Sequence, residues 1–139
     1  DVEKMRFIGL DEAEYYYHES KYRKAAYYAK KVYKLAPEDP RVQLILGLAQ
    51  LTRRNTKEGK ANLEEGLKNL ANEPSDKDEN LLKKEQDIIY FLARAASIEL
   101  VGMSKQQLAT EIIETLSPVL TDKQKETLAA EFQSQVSEG

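Results

Sequence analysis

Laid over itself at an offset of 34 residues, this chain repeats its small and apolar positions. Ala13 falls on Gly47, Tyr22 on Thr56, Ala25 on Gly59, Ala29 on Leu63 and Val32 on Gly66. The stretch at the centre of the repeat, KYRKAAYYAKKVYKLAPEDPRVQLILGLAQL from Lys21 to Leu51, holds an amphipathic helix, a proline-marked corner and a second, more apolar helix. Such a period constrains the fold more than any composition figure. One helix pair cannot hide its apolar face, whereas stacked pairs can, provided the last is closed by a segment with a polar outer side.

Taken in order, the chain reads as seven helices with no convincing strand. The first spans residues 2 to 19. Gly9 inside it costs about 1 kcal/mol relative to Ala, so a start near Asp11, a good N-cap, is the alternative. The second, about 22 to 36, places Tyr22, Ala25, Ala26, Ala29, Val32, Tyr33 and Ala36 on one face and Arg23, Lys24, Lys30, Lys31 and Lys34 on the other. Pro37 ends it. Asp39 caps a third helix with Pro40 in its first turn. That helix, about 40 to 53, is apolar nearly all round, and Gly47 in its middle calls for a close neighbour. Asn55 to Glu58 reads as a cap opening a fourth helix, about 56 to 72, with Gly59 and Gly66 as contact points.

A polar loop follows at 72 to 80, then a long fifth helix, about 80 to 101, ended by Gly102. Ser104 to Gln107 and Thr121 to Gln124 both read as capping boxes. They open a sixth helix, about 105 to 117, and a seventh with Leu128, Ala129, Phe132 and Val136 on one side.

The period, the small residue midway along the first helix, Tyr22 at the turn, Ala25 a few residues on and Pro37 at the end together resemble the tetratricopeptide repeat (TPR) family. The resemblance implies an all-α, right-handed superhelix: three TPR-like hairpins over 1–117 (about 6–39, 40–73 and 80–117) and a C-terminal capping helix over 118–139. About 15 extra residues near 72–87 precede the third hairpin. The resemblance also implies a concave groove lined by the first helix of each pair. Its positions here would be Leu10, Glu14 and Tyr17; Arg41, Leu44, Leu48 and Leu51; and Tyr90, Ala93 and Ser97. A leucine-lined groove favours an apolar or helical segment of a partner protein. The competing reading makes Leu44 and Leu48 plain core. A carboxylate clamp of the kind some relatives of that family use is not expected, because Leu10, Glu14 and Ile45 stand near its positions.

The rest of the sequence narrows the function class. There is no cysteine and one histidine, His18, with no serine-nucleophile motif or second histidine at metal spacing. The six glycines form no phosphate loop, and DKDEN at 76–80 lacks the glycine and final glutamate of a calcium loop. No catalytic residue, metal or cofactor is expected. A net charge of −3 argues against nucleic acid, and the apolar runs are too short for a membrane span. The reading is therefore a non-catalytic scaffold or adaptor binding another protein or peptide. A small secretion chaperone shielding a hydrophobic client and a homo-oligomerising module are the alternatives. Tyr15, Tyr16 and Tyr17 cannot share one direction on a helix, so at least one faces solvent and is a further interface candidate.

Overall fold

The computed structural model describes residues 1–73 and 78–138, with side chains as far as Gln135. Seven α-helices and one 3-10 turn account for nearly all of them, with no strand among the described residues: α1 (Val2–His18), α2 (Tyr22–Tyr33), α3 (Pro40–Thr52), α4 (Thr56–Asn69, continued by the 3-10 turn Leu70–Asn72), α5 (Glu79–Gly102), α6 (Gln106–Thr115) and α7 (Asp122–Glu138). The first helix begins at residue 2, not at Asp11. Asp1 caps it by accepting from the Glu3 amide at 3.0 Å. Gly9 is tolerated because α2 comes close, so that a Cβ there would sit 2.9 Å from Val32 Cγ2. Helix α2 stops at Tyr33, earlier than Pro37 requires. The Lys34 and Leu35 amides turn back to Lys31 and Val32 and tighten the end into three-residue bonds.

Three tight hairpin turns have the same construction. Ser20, Arg54 and Ser104 adopt φ of 59°, 67° and 61°, the left-handed region. The next residue in each, Lys21, Asn55 and Lys105, donates its amide five residues back, at 2.9, 2.9 and 2.8 Å. This is the Schellman end of a helix. The first two turns are 34 residues apart and the third follows after 50. The shared turn also explains two caps that do not form. Ser104 is spent as the left-handed residue, so Lys105 opens α6 without a side-chain cap. Asn55 likewise gives no cap to α4, its side-chain Nδ2 donating to Glu58 Oε2 at 3.0 Å instead. The box at Thr121 and Gln124 does form, with reciprocal bonds of 3.1 Å.

Helix α3 is the pole of the molecule. Ten of its residues are buried, as an all-round apolar helix requires. It packs on α2, α4 and α5. The approach to α4 is governed by two glycines: a Cβ on Gly47 would lie 2.8 Å from the Gly59 carbonyl oxygen, and one on Gly59 would lie 2.8 Å from that of Gly47. Helix α5 departs from a third hairpin stacked on the second. It packs against α3 and α1 and reaches α2, with no comparable contact to α4. Helices α1, α2, α3 and α5 thus surround a common core that includes Leu10, Ala29, Ile45, Leu48, Ile88 and Leu92. Helices α6 and α7 pack on α5, Leu128 going into the core while Ala129 stays exposed. The inserted loop expected near 72–87 overlaps residues 74–77, and those four lie outside the described residues, as does the Val136 side chain.

Gly47→Ala gains about 1 kcal/mol of helix propensity but drives a methyl into the α4 backbone. It should destabilise the chain by about 2 kcal/mol in urea melts. Gly102→Ala, with nothing within 4 Å of the new Cβ, should leave stability unchanged or raise it. Ser104→Gly relieves the left-handed strain and should add about 1 kcal/mol.

Candidate protein-binding surface

Most of the residues expected to line a groove lie inside the fold, where α5 packs on both α1 and α3. Leu10, Leu44, Leu48 and Leu51 have no exposure at all, nor has Ala93. Glu14 is half-buried and accepts from Lys84 Nζ at 2.8 Å. Tyr17 stacks on Phe91 with centroids 4.5 Å apart, and its hydroxyl accepts from Arg94 Nη1 at 2.9 Å. Tyr90 lies beside Phe91, half-buried. Ser97 is buried and turns its hydroxyl onto its own helix, donating to the Ala93 carbonyl at 2.8 Å. Arg41 points away from this set, its Nε donating to Glu73 Oε2 at 3.2 Å. As the molecule stands, none of the four leucines can meet another protein. Leu44 and Leu51 lie against Gly66 and Gly59 of α4, inside their own hairpin.

Several residues that fix α5 were not singled out from the sequence. Arg6 Nη2 donates to Glu85 Oε2 at 2.7 Å and to Asp39 Oδ2, joining α1, the N-cap of α3 and α5. Lys84 Nζ also reaches Asp11 Oδ1 at 2.9 Å. Arg94 bridges Tyr17 to Glu131 of α7, and Arg54 pairs with Glu99. A signal existed: Arg6 falls in the stripe with Leu10, Ala13 and Tyr17, and Glu85 in that with Leu81, Ile88 and Leu92. Each is a charge at a core-facing step.

What stays open is the outer side of α1 where it adjoins α2. Met5, Ile8 and Tyr15 are 53%, 51% and 59% exposed, and Val2 and Tyr27 are exposed as well. Two steps of three and one of seven along α1 place Val2, Met5, Ile8 and Tyr15 on one side. Two shallow clefts flank it. One, of about 410 Å³, runs between Met5, Ile8 and Glu12 on α1 and Tyr28, Lys31 and Leu35 beyond it. The other, of about 420 Å³, is bounded by Ile8, Glu12, Tyr15 and Tyr16. A tyrosine ladder crosses the two helices here. Tyr16 stacks on Tyr28 at 5.0 Å, with Tyr15 edge-on to Tyr16 and Tyr27 edge-on to Tyr28. Lys24 Nζ sits 4.9 Å from the Tyr16 ring, and Lys31 Nζ 4.8 and 5.0 Å from those of Tyr27 and Tyr28. The Tyr16 side chain, by hydrogen bonding, pushes the Tyr28 hydroxyl above its ordinary pKa. Among the tyrosines of α1, Tyr15 is thus the one in solvent and Tyr17 the one turned into the core side.

No group of three or more His, Asp or Glu side chains among the described residues is placed to hold a metal ion. No described helix is long and apolar enough to cross a membrane. No family model, curated protein or solved structure matches the chain.

The α1–α5 contact carries a pH dependence. Burial raises the Tyr17 hydroxyl above its usual value. The hydrogen bonds that the Lys84 ammonium donates to Glu14 and then to Asp11 raise its pKa. In both cases the folded chain prefers the protonated form. The stability this confers is complete below the unfolded values, about pH 10 for both, and is lost as the pH rises through the folded ones. Urea melts from pH 8 upward should show a fall setting in near pH 10, and Tyr17→Phe should make that fall shallower.

Proposed function

We propose that this chain is a non-catalytic protein–protein interaction module, a scaffold or adaptor built on TPR-like helical hairpins, and that it binds a helical segment of a partner chain on the outer face of α1 and α2. One observation carries the reading: a stripe of half-exposed Met5, Ile8 and Tyr15 beside a tyrosine ladder, on a chain whose other large apolar side chains are mostly buried. Apolar surface that leaves water contributes about 25 cal/mol per Å², and exposed aromatic and methionine side chains are enriched where proteins meet. The repeat side of the reading is supported by the three like turns and by the packing of α2 on both α1 and α3. The superhelical groove does not serve as the site in this proposal, since most of the residues expected to line it lie inside the fold.

A photoreactive residue in place of Ile8 should crosslink to the partner in extracts, whereas one in place of Ala61, exposed on α4, should not. Ile8→Glu and Tyr15→Glu should each abolish capture with an unchanged thermal melt. Adducts at Ala61 alone, or capture undiminished in both variants, would remove the proposed surface.

A further inference from the structure

The 34-residue offset sets Ile8 on Val42, Glu12 on Leu46 and Tyr15 on Ala49. The three sides of α3 can be told apart. Gln43, Gly47 and Gln50 face α4. On α1 the equivalent Gly9 and Tyr16 face α2, and Arg6, Glu14 and Tyr17 face α5. That leaves Val42, Leu46 and Ala49 for the remaining neighbour of α3, which is α2, and all three are buried. The same side of α1 has no helix on it. The fold therefore contains its own template for what this surface accepts: an α-helix laid along α1.

The charges say which helix. Glu12 of α1 and Lys31 of α2 are both exposed and line the same cleft. Acidic Asp11 and Glu12 edge the α1 side, and basic Lys24, Lys31 and Lys34 edge the α2 side, with Met5, Ile8 and Leu35 between. A face with both signs across an apolar centre is complementary to itself. A two-fold axis running along the hairpin puts α1 of one copy over α2 of the other. Glu12 of each then meets Lys31 of the other, twice per pair. We propose that the outer face of α1 and α2 is a two-fold interface between two copies of this chain. The inference rests on the reading of that face as a protein-binding surface and names the occupant.

Sedimentation equilibrium on the full chain, from micromolar to millimolar, should show a reversible dimer. Ile8→Glu should abolish it. Glu12→Lys and Lys31→Glu should each weaken it at least about tenfold through like-charge contact. Mixing the two variants should bring a dimer back, because every reversed charge then faces its opposite in the other copy. All these residues are exposed, so the monomer fold is not at stake, and thermal melts check it. A monomer at every concentration, or a dimer unmoved by Ile8→Glu and by both charge reversals, overturns the proposal. A strict monomer whose Ile8 probe still crosslinks to a different protein overturns the second copy and leaves the interaction-module reading standing. A dimer held elsewhere, with an inert Ile8 probe, overturns both.

Discussion

Helix α3 has helical neighbours on three sides, and everything else is arranged to supply them. A segment reading PRVQLILGLAQLT has no side to give to water. Its cheapest neighbour is α4, which comes so close at Gly47 and Gly59 that the two backbones touch where side chains would otherwise stand. On a second side lies α2, with four buried residues of its own. On the third side packs α5, whose Leu81, Ile88, Ile89 and Leu92 are buried. Burial of this kind is strong but has no direction, so it does not by itself set how α5 is rotated or slid along α3.

The polar contacts set it. Arg6 binds a carboxylate from α5 and another from the N-cap of α3, at a place where two of the three residues are nearly or wholly buried. Sliding α5 by one residue would break the Arg6–Glu85 bond and strand charge away from water, which costs several kcal/mol. Lys84 on Asp11 and Glu14, and Arg94 between Tyr17 and Glu131, repeat the device along the helix at less depth. Burial alone disfavours the charged form of Arg94, but its bonds to Tyr22, Glu131 and Tyr17 outweigh that and hold the guanidinium protonated. The sum is a helix pinned at two levels, residues 84–85 and Arg94, which is why α5 behaves as core.

The sequence disclosed the elements far better than their assembly. Helix ends followed local chemistry that can be read from few residues: Asp39 with Pro40, the Thr121–Gln124 box, the glycines paired across α3 and α4. Where local chemistry had two uses, the reading failed. Ser104 and Asn55 looked like caps and were taken by the preceding turn, because a left-handed residue and the one after it were needed there first. The place of α5 was beyond a period-based reading altogether. Counting by 34 assigns a third hairpin to the end of the stack, yet α5 packs on both α1 and α3. The candidate groove was legible as a surface, since Leu10, Leu44, Leu48 and Leu51 do face one way. Its vacancy was not, because no local signal tells a leucine that waits for a partner from one already covered. Arg6 and Glu85 held the clue, each a charge in an apolar stripe that only a partner within the same molecule could satisfy.

The two ends of the helical array differ in a manner that packing alone does not require. At the far end α7 turns Leu128 inward and leaves Lys, Glu, Gln and Ser positions outside, so the core stops at a polar surface. At the near end α1 meets water through Val2, Met5, Ile8 and Tyr15. Nothing in the fold of α1 demands this. Its inward stripe, Arg6, Leu10, Ala13 and Tyr17, is complete without them, and lysine or glutamate at positions 5, 8 and 15 would serve the helix as well or better. Apolar side chains half in water lower solubility and contribute little to folding. The chain closes one end with a polar helix and leaves the other apolar, with rims of opposite charge and a tyrosine ladder beside lysines.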